Sequence, residues 1–269
     1  MKTVGCIGCG NMGGGVLRGL LQNGGYVLLG HDHSREKVEA LRHGAQSVEW
    51  ADSPLDLARR SDLLILGVKP HQMPAMLEII RPALGPEKTV ISLAAAFSLE
   101  KIREGIGRAC PCVRVMPSLP VMAGRGVFAL CFDDPSLSSE ARRELADMFQ
   151  SMGRAVVLPE QQFSAFSSLV GCGPAFVFLF MEGLLNAAVT MGFKASAAKE
   201  LIAAMVEGSA CLALQEKESF ADLRVRVCSP AGTTICGVNH LQRCAMPGNV
   251  ADAVLESLRR DLEMSGRQS

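Results

Sequence analysis

Three glycines near the N-terminus have the spacing of a phosphate-binding loop. Gly8, Gly10 and Gly13 form a G-x-G-x-x-G pattern between an apolar run at 2–7 and a segment of helical periodicity at 11–23. In such a loop the first glycine permits a tight turn, the second lets the backbone approach a pyrophosphate, and the third lets helix and strand pack closely. The following helix offers free N–H groups to the phosphates. The pattern predicts a dinucleotide-binding loop; the alternative is a glycine turn with a structural role only.

The residues after the second apolar run bear on which dinucleotide binds. An acid about 20 residues past the loop usually bonds the ribose 2′-hydroxyl of NAD, whereas a nearby arginine accommodates the 2′-phosphate of NADP. Asp32 has the acidic position, while His33, Ser34 and Arg35 could surround a phosphate. Both signals are present, so the choice between NADH and NADPH stays open on these residues. The alternative is that Asp32 or Ser34 only caps the next helix.

Two further strand ends carry residues suited to a cofactor. Residues 68–70, Val-Lys-Pro, follow the third apolar run, and residues 93–95, Leu-Ala-Ala, follow the fourth. Open α/β sheets bind ligands at the carboxyl ends of their strands. The small residues would let the backbone approach the nicotinamide and its ribose, although close packing alone would also explain them.

A second group of unusual residues lies nearer the C-terminus. Residues 229–234, Ser-Pro-Ala-Gly-Thr-Thr, separate two helical patterns. They offer hydroxyls and backbone donors at a predicted helix N-terminus, which suits a small carboxylate. The alternative is a Ser-Pro turn with a threonine cap, and the residues alone favour neither. Segments 113–120 and 171–176 are also unusual, because the first leaves a strand and the second interrupts a helical pattern.

The elements that would position these residues change in character along the chain. Strand and helix patterns alternate up to residue 158, which is typical of a doubly wound, mainly parallel α/β sheet of the Rossmann type. Long helical patterns follow at 161–191, 195–215 and 239–264. We therefore predict a dinucleotide-binding Rossmann domain over residues 1–158 and an all-helical domain over residues 159–269.

The net charge and the distribution of charged residues indicate which classes of partner to expect. The formal net charge is zero, so the chain has no basic field for nucleic acid or anionic lipid, and we expect neither partner. The run 161–181 has no charged residue but contains glutamines, serines, glycines and a proline. We read it as a helix buried in a core or a subunit interface rather than a membrane span.

The ten cysteines favour a reducing compartment. Several lie in apolar runs, where cysteine behaves as a small hydrophobic residue, and we expect no signal peptide before them, since residues 1–7 lead directly into a strand pattern. We therefore expect free thiols in the cytoplasm. Cys6 and Cys9 have a C-x-x-C spacing but no second Cys/His pair at zinc spacing, so we expect no metal site and no redox role.

The order of these motifs resembles that of pyrroline-5-carboxylate reductase. The resemblance runs nearly end to end, through IGCGNMG, VKP, SLAAA, VRVMPSLP, GCGPAF and SPAGTTICGV, of which the last is the most specific. It implies a Rossmann domain followed by a helical domain that dimerises through interlocked helices. It also implies reduction of the ring C=N of 1-pyrroline-5-carboxylate to L-proline with NAD(P)H, NADPH being favoured. No metal is required, because a ring iminium is already electrophilic and the hydride belongs to the cofactor.

The resemblance assigns roles residue by residue. The cofactor would contact Ile7, Gly8, Gly10, Asn11, Met12, Gly13, Asp32, His33, Ser34, Arg35, Val68, Lys69, Pro70, Leu93, Ala94 and Ala95. The substrate would contact Ser118, Gly173, Pro174, Ala231, Gly232, Thr233 and Thr234. Ser229 and Thr234 would be the catalytic residues, with Thr234 near the imine nitrogen.

Four departures from the family pattern lie near these residues. Ser118 and Leu119 replace Asn-Thr, Ala231 replaces the first glycine of SPGGTT, residues 95–97 read Ala-Ala-Phe for Ala-Gly-Ile, and residues 32–33 read Asp-His for Asn-Arg. Two alternatives therefore stay open. One is a divergent paralogue that reduces another cyclic imine, and the other is a non-catalytic nucleotide-binding relative.

Overall fold

The computed structural model describes residues 1–265, which form two compact units. The first unit comprises Met1–Cys172 with residues 257–265, and the second comprises Gly173–Glu256. The domain boundary after residue 158 stays a prediction. It lies just past the last strand, which ends at Val157, whereas the first compact unit extends further along the chain.

The strands of the described chain all lie in the first unit. They are β1 (Lys2–Ile7), β2 (Tyr26–His31), β3 (Arg42–His43), β4 (Gln46–Ser47), β5 (Glu49–Trp50), β6 (Leu63–Leu66), β7 (Thr89–Ser92), β8 (Cys112–Pro117), β9 (Gly126–Cys131) and β10 (Gly153–Val157). Eight strands form one sheet in the order β10-β9-β8-β7-β6-β1-β2-β5, and β3 and β4 form a separate hairpin. Neighbours in the large sheet are parallel except β8 and β9. The predicted mainly parallel sheet is confirmed.

Helices connect these strands and then form the second unit. In the first unit they are α1 (Asn11–Asn23), α2 (Arg35–Glu39), α3 (Pro54–Arg60), α4 (Met73–Ile80), α5 (Leu99–Gly105), α6 (Ser139–Gln150) and α7 (Phe163–Phe166). Then come α8 (Gly173–Thr190), α9 (Ala195–Gln215), α10 (Phe220–Val227), α11 (Thr233–Arg243) and α12 (Met246–Ser265). Short 3₁₀ turns occur at Pro70–Gln72, Arg81–Ala83, Leu119–Ala123 and Glu160–Gln162.

Helices cover both faces of the large sheet, because its buried strands are apolar on both sides. Along β6, Leu63 belongs to the same buried cluster as the α1 and α6 side chains, whereas Leu64 belongs to a second cluster with α3, α4 and α5. Each fully buried leucine or phenylalanine contributes about 1.5–3 kcal/mol. This two-sided core fixes the strand ends that carry the predicted cofactor residues.

The predicted long helix at 239–264 was wrong in detail, whereas the helical run predicted at 161–191 is present and contains a π-helical turn. That turn covers Ser167–Gly171 and precedes α8. The run predicted at 239–264 is broken between α11 and α12, where Ala245 has a φ of 53°. A left-handed residue cannot continue a right-handed helix, and apolar periodicity does not report it.

One helical run is long and apolar enough to cross a membrane by length and composition alone. It covers Glu160–Thr190, with a mean hydropathy of 1.7 and 22% of its most apolar window buried within the single chain. Interface helices of oligomeric proteins have the same composition. The run therefore presents an apolar surface that the single chain leaves largely uncovered.

Candidate cofactor and substrate sites

The glycine loop has the geometry that its spacing predicts. Gly8 has a φ of 92°, and a Cβ there would lie 2.7 Å from the carbonyl carbon of Gly67. A Cβ on Gly13 would overlap the carbonyl oxygen of Gly8. By contrast, a Cβ on Gly10 would meet nothing within 4 Å. Gly8 and Gly13 are thus required by backbone packing, whereas Gly10 faces open space where a ligand can approach.

The start of α1 leaves its backbone donors available. Gly10 is the N-cap residue and supplies no side-chain cap, so the N–H groups of Asn11, Met12 and Gly13 at the helix start have no capping side chain within residues 1–265. The Gly8 N–H donates to the carbonyl of His31 over 2.8 Å, which ties the loop to the end of β2. An uncapped helix N-terminus beside open space fits a pyrophosphate.

A cleft of 290 Å³ lies beside this loop at the carboxyl ends of the central strands. It is lined by Ile7, Gly8, Gly10, His31, Asp32, His33, Lys37, Pro54, Gly67, Val68, Lys69, Gln72 and Met76. Three chain segments predicted to hold the cofactor therefore meet in one cavity. This is the position at which open α/β sheets bind ligands.

Asp32 lies in this cleft but its carboxylate is already engaged. Oδ2 accepts the N–H of Cys9 in the glycine loop at 2.8 Å. Oδ1 accepts the N–H of Ser34 at 3.1 Å and the Lys37 ammonium at 3.0 Å. Burial raises the pKa of Asp32, but the bonds from Ser34, Lys37 and Cys9 more than offset it and hold the pKa below its usual value. Asp32 therefore joins the glycine loop to the start of α2 as an ionised side chain.

The side chains around Asp32 are stabilised by aromatic and ionic contacts with one another. The His31 and Trp50 rings have centroids 5.2 Å apart, and His31 Nδ1 lies 2.8 Å from the carbonyl oxygen of Ala51. Arg35 opens α2, bonds Glu39 at 2.8 Å and lies 5.6 Å over the Trp50 ring. The edge of the cleft after β2 is thus fixed before any ligand arrives.

Ser34 is the N-cap residue of α2 in position, but it makes no side-chain cap bond. Its hydroxyl donates instead to Glu36 over 2.5 Å. The alternative role as a helix cap is therefore not the one that this side chain plays.

The other predicted cofactor residues follow β6 and β7. The Lys69 N–H donates to Gln72 Oε1 at 3.0 Å, and Pro70 opens the 3₁₀ turn that carries Gln72. Leu93 and Ala94 are buried directly after β7, and the Leu93 N–H donates to the carbonyl of Leu66 at 3.0 Å. These bonds keep the two strand ends side by side.

Six lining residues were missed from the sequence: His31, Lys37, Pro54, Gly67, Gln72 and Met76. Gly67 could have been found, since it directly precedes Val68, and a Cβ there would lie 2.5 Å from the Gly8 carbonyl oxygen. Lys37 had no comparable signal, because its approach to Asp32 depends on how α2 leaves the strand.

Ser118, predicted to contact substrate, has a structural bond in the first unit. It is buried, and its Oγ accepts the N–H of Val127 at 2.9 Å across the β8–β9 pair. The hydroxyl proton remains available for a further bond.

The predicted carboxylate-binding segment precedes α11 in the second unit. Gly232 is the N-cap residue with no side-chain cap, and its N–H donates to the Ser229 carbonyl at 3.0 Å. Thr233 and Thr234 are the first two residues of the helix and are exposed. Within residues 1–265 their hydroxyls make no hydrogen bond, so the threonine-cap alternative does not hold. The segment presents free hydroxyls and N–H groups at one helix end.

One residue of the segment before α11 has an unusual backbone conformation. Ala231 has a φ of 58°, in the left-handed region that favours glycine. Gly173 and Pro174 begin α8 directly after the π-helical turn, and a Cβ on Gly173 would meet nothing within 4 Å. π-Helical turns are frequent at functional sites.

The cysteines carry free thiols and form no disulfide within residues 1–265. All ten are free, and within residues 1–265 no group of three or more His, Cys, Asp or Glu could hold a metal ion. Cys6 and Cys9 are buried. The hydrogen bond with Cys9, together with burial, raises the pKa of Cys6 well above its usual value, so Cys6 is a poor nucleophile.

Two family models match the two halves of the chain. Residues 3–96 match the family described as "NADP oxidoreductase coenzyme F420-dependent", and residues 160–264 match "Pyrroline-5-carboxylate reductase dimerisation". The chain is 31% identical over 268 residues to the pyrroline-5-carboxylate reductase of Escherichia coli, covering 98% of both chains. It is 33% identical over 221 residues to the enzyme of Aquifex aeolicus, covering 81% of this chain and 82% of that one.

Solved structures agree over the full length. The pyrroline-5-carboxylate reductase of Coxiella burnetii has a TM-score of 0.87 at 27% identity, covering 100% of this chain and 99% of that one. The Plasmodium falciparum pyrroline carboxylate reductase, solved with NADP bound, has a TM-score of 0.86 at 25% identity and covers 98% of each chain. The glycine loop, the uncapped α11 segment and these end-to-end matches lead to one conclusion: the chain belongs to the pyrroline-5-carboxylate reductase family.

Proposed function

We propose that this protein reduces the ring C=N of 1-pyrroline-5-carboxylate to L-proline with NAD(P)H, the last step of proline biosynthesis. The observation that carries the proposal is the exposed segment at Thr233 and Thr234, whose hydroxyls and helix N-terminus have no partner within residues 1–265. Such a segment suits a small carboxylate. The family's end-to-end match supplies the reaction class.

The cofactor would be held by the cleft beside the glycine loop. The N–H groups at the start of α1 would bind the pyrophosphate, and the open space at Gly10 leaves room for it. The residues after β2, β6 and β7 would contact the ribose and nicotinamide halves. A bound reduced nicotinamide supplies the hydride, so the chain itself needs only to bind and orient.

The substrate would be oriented by the loop before α11. The Gly232–Thr234 backbone and hydroxyls would bind its carboxylate, and Thr234 would hold a hydrogen bond to the ring nitrogen. A hydroxyl is too weak an acid to supply a proton rapidly on its own. Thr234 therefore acts by orienting a nitrogen that is protonated before reduction, with Ser229 helping to shape the loop through its carbonyl bond to Gly232.

NADPH is the cofactor that we favour over NADH. Asp32, the residue that would accept the 2′-hydroxyl of NAD, already accepts three donors. The match of residues 3–96 to an NADP oxidoreductase family supports the same preference.

The second unit would join two copies of the chain in a homodimer or a higher homo-oligomer. Phe178 and Leu179 on α8 are 56% and 68% exposed in the single chain. An apolar groove of 760 Å³ lies between α8, α11 and α12, lined by Phe176, Leu179, Phe180, Gly183, Leu184, Ala187, His240, Leu241, Cys244, Met246, Asn249, Val250 and Ala253. Exposed patches of this kind are usually covered in the assembled protein. The dimerisation match favours a second copy of the chain as the partner, rather than a membrane or nucleic acid. We place the enzyme in the cytoplasm.

One assay tests the reaction. Oxidation of NADPH and of NADH is followed optically with pyrroline-5-carboxylate and, separately, with six-membered and carboxylate-free cyclic imines. Turnover with pyrroline-5-carboxylate supports the proposal. Turnover only with another imine would assign the departures at Ser118 and Ala231 to a change of substrate, and nucleotide binding without any turnover would identify a non-catalytic relative.

A further inference from the structure

Of the two lysines that line the cleft, Lys37 and Lys69, Lys37 is held against Asp32 and uses only part of its hydrogen-bonding capacity. The Lys37 ammonium donates to Asp32 Oδ1 at 3.0 Å and lines the cleft with Asp32 and His33. Within residues 1–265 this is its only hydrogen bond, and an ammonium has three donors. The Lys37 side chain is 53% exposed, whereas that of Asp32 is 9% exposed. Two donors of Lys37 therefore remain available to a ligand.

Two of the other polar residues after β2, Ser34 and Arg35, have their side chains engaged elsewhere. The Arg35 guanidinium bonds Glu39 and lies over Trp50. The Ser34 hydroxyl donates to Glu36. Of the residues 33–35 that the sequence suggested for a 2′-phosphate, two are thus already committed, while Lys37 was not suggested at all.

Asp32 would repel a phosphate if its charge were unpaired. Its two oxygens accept from Cys9, Ser34 and Lys37, and Lys37 supplies the compensating positive charge. Asp32 in turn restrains the ammonium at the cleft wall, which lowers the entropy that a flexible lysine loses on binding. The pair has no net charge, but its exposed part is the Lys37 ammonium and its buried part is the Asp32 carboxylate, so it presents a positioned hydrogen-bond donor to the cleft.

We infer that Lys37 is the residue that makes this protein select NADPH over NADH, its ammonium binding the 2′-phosphate while Asp32 positions it. The inference rests on the proposed function, because it concerns the same cofactor cleft. The acid after β2, which usually marks NAD enzymes, here serves the opposite preference through its ion pair.

The test measures binding of NADP⁺ and NAD⁺, which differ only by that phosphate, to the full-length protein by titration calorimetry. Lys37→Met should weaken NADP⁺ binding by about tenfold or more, since it removes a charge-assisted hydrogen bond. Binding of NAD⁺ should change by less than about threefold, because NAD⁺ lacks the 2′-phosphate that the ammonium would contact and the charge is screened from the more distant pyrophosphate. Lys37→Arg should retain the preference, and Lys101→Met, an exposed lysine outside the cleft, should change neither affinity.

The outcomes separate this inference from the proposed function. Equal weakening of both nucleotides by Lys37→Met, or no weakening of NADP⁺, overturns the role of Lys37 and leaves the reductase proposal intact. A wild-type protein that prefers NAD⁺ overturns it as well. Failure of the wild-type protein to bind either nucleotide would remove the proposed function itself. Thermal unfolding of each variant establishes that an affinity change is not a loss of fold.

Discussion

Two alanines beside the proposed ligands have backbone conformations that favour glycine. Ala96 has a φ of 53° and Ala231 a φ of 58°. A side chain in this region costs about 1–2 kcal/mol. The pyrroline-5-carboxylate reductase pattern has glycine at both positions, so this chain retains the loop shapes at an energetic cost.

We predict that Ala231→Gly stabilises the protein by about 1 kcal/mol, because it relieves the left-handed strain. The free energy of unfolding in denaturant measures the change. Ala203→Gly, an exposed position inside α9, is the matched control and should destabilise by about 0.5–1 kcal/mol. If both substitutions destabilise equally, the backbone at Ala231 is not strained.

We predict that Thr234→Ala lowers kcat/KM roughly ten- to a hundredfold, since it removes one hydrogen bond to a charged substrate. Nucleotide affinity should persist, because Thr234 lies outside the cofactor cleft. Steady-state kinetics and calorimetry measure the two quantities. Thr190→Ala, which removes a hydroxyl bonded to the Asn186 carbonyl within α8, is the control and should keep normal turnover. Unchanged turnover in Thr234→Ala would exclude this side chain from the reaction.

At the scale of the elements, the glycine loop contains one glycine that folding requires and another that ligand binding requires. Gly13 lies against the Gly8 carbonyl oxygen, whereas Gly10 faces open space. The same small substitution therefore has different consequences at two positions three residues apart.

We predict that Gly10→Ala leaves the melting temperature nearly unchanged but weakens NADPH binding by at least about tenfold, because its methyl group would occupy the pyrophosphate approach. Gly13→Ala should instead lower the melting temperature by several degrees, since the loop must move to admit the Cβ. Calorimetry and thermal unfolding measure both variants. Normal NADPH affinity in Gly10→Ala would contradict the assigned position of the cofactor.

The sequence predicted these elements well where local patterns determine them. The order of the long strands and helices up to α9, the glycine loop and a helix start at residues 229–234 follow from periodicity and from Gly and Pro positions, whereas α10 was not predicted. The break at Ala245 and the small strands β3 to β5 were missed, because they depend on backbone geometry and pairing that two- or three-residue segments do not encode. Lys37 was missed for a related reason, because its contact with Asp32 depends on the direction in which α2 leaves the preceding strand.

At the scale of the whole molecule, the second unit has little interior of its own. Of its apolar side chains, Phe178, Leu179 and Leu201 are among many that are more than two-fifths exposed in the single chain. A helical unit that exposes so much apolar surface gains stability when a second copy covers it.

We predict that the protein sediments as a dimer or a larger homo-oligomer and that Leu179→Asp shifts it toward monomer, because an unpaired charge would be buried in the interface. Analytical ultracentrifugation measures the distribution. Ile79→Asp is the control, since Ile79 is similarly apolar and exposed on α4 of the first unit. If the wild-type protein sediments as a monomer, the proposal that a second copy covers the α8 surface is wrong.

The ring contact between His31 and Trp50 also has a practical consequence. Trp50 is the only tryptophan of the chain, and its neighbour His31 lines the cofactor cleft. Its emission overlaps the absorption of a reduced nicotinamide, so resonance energy transfer should quench it when the cleft fills. Each subunit thus carries one tryptophan, and a stopped-flow trace of its intensity would count occupied clefts and time their filling without an added label.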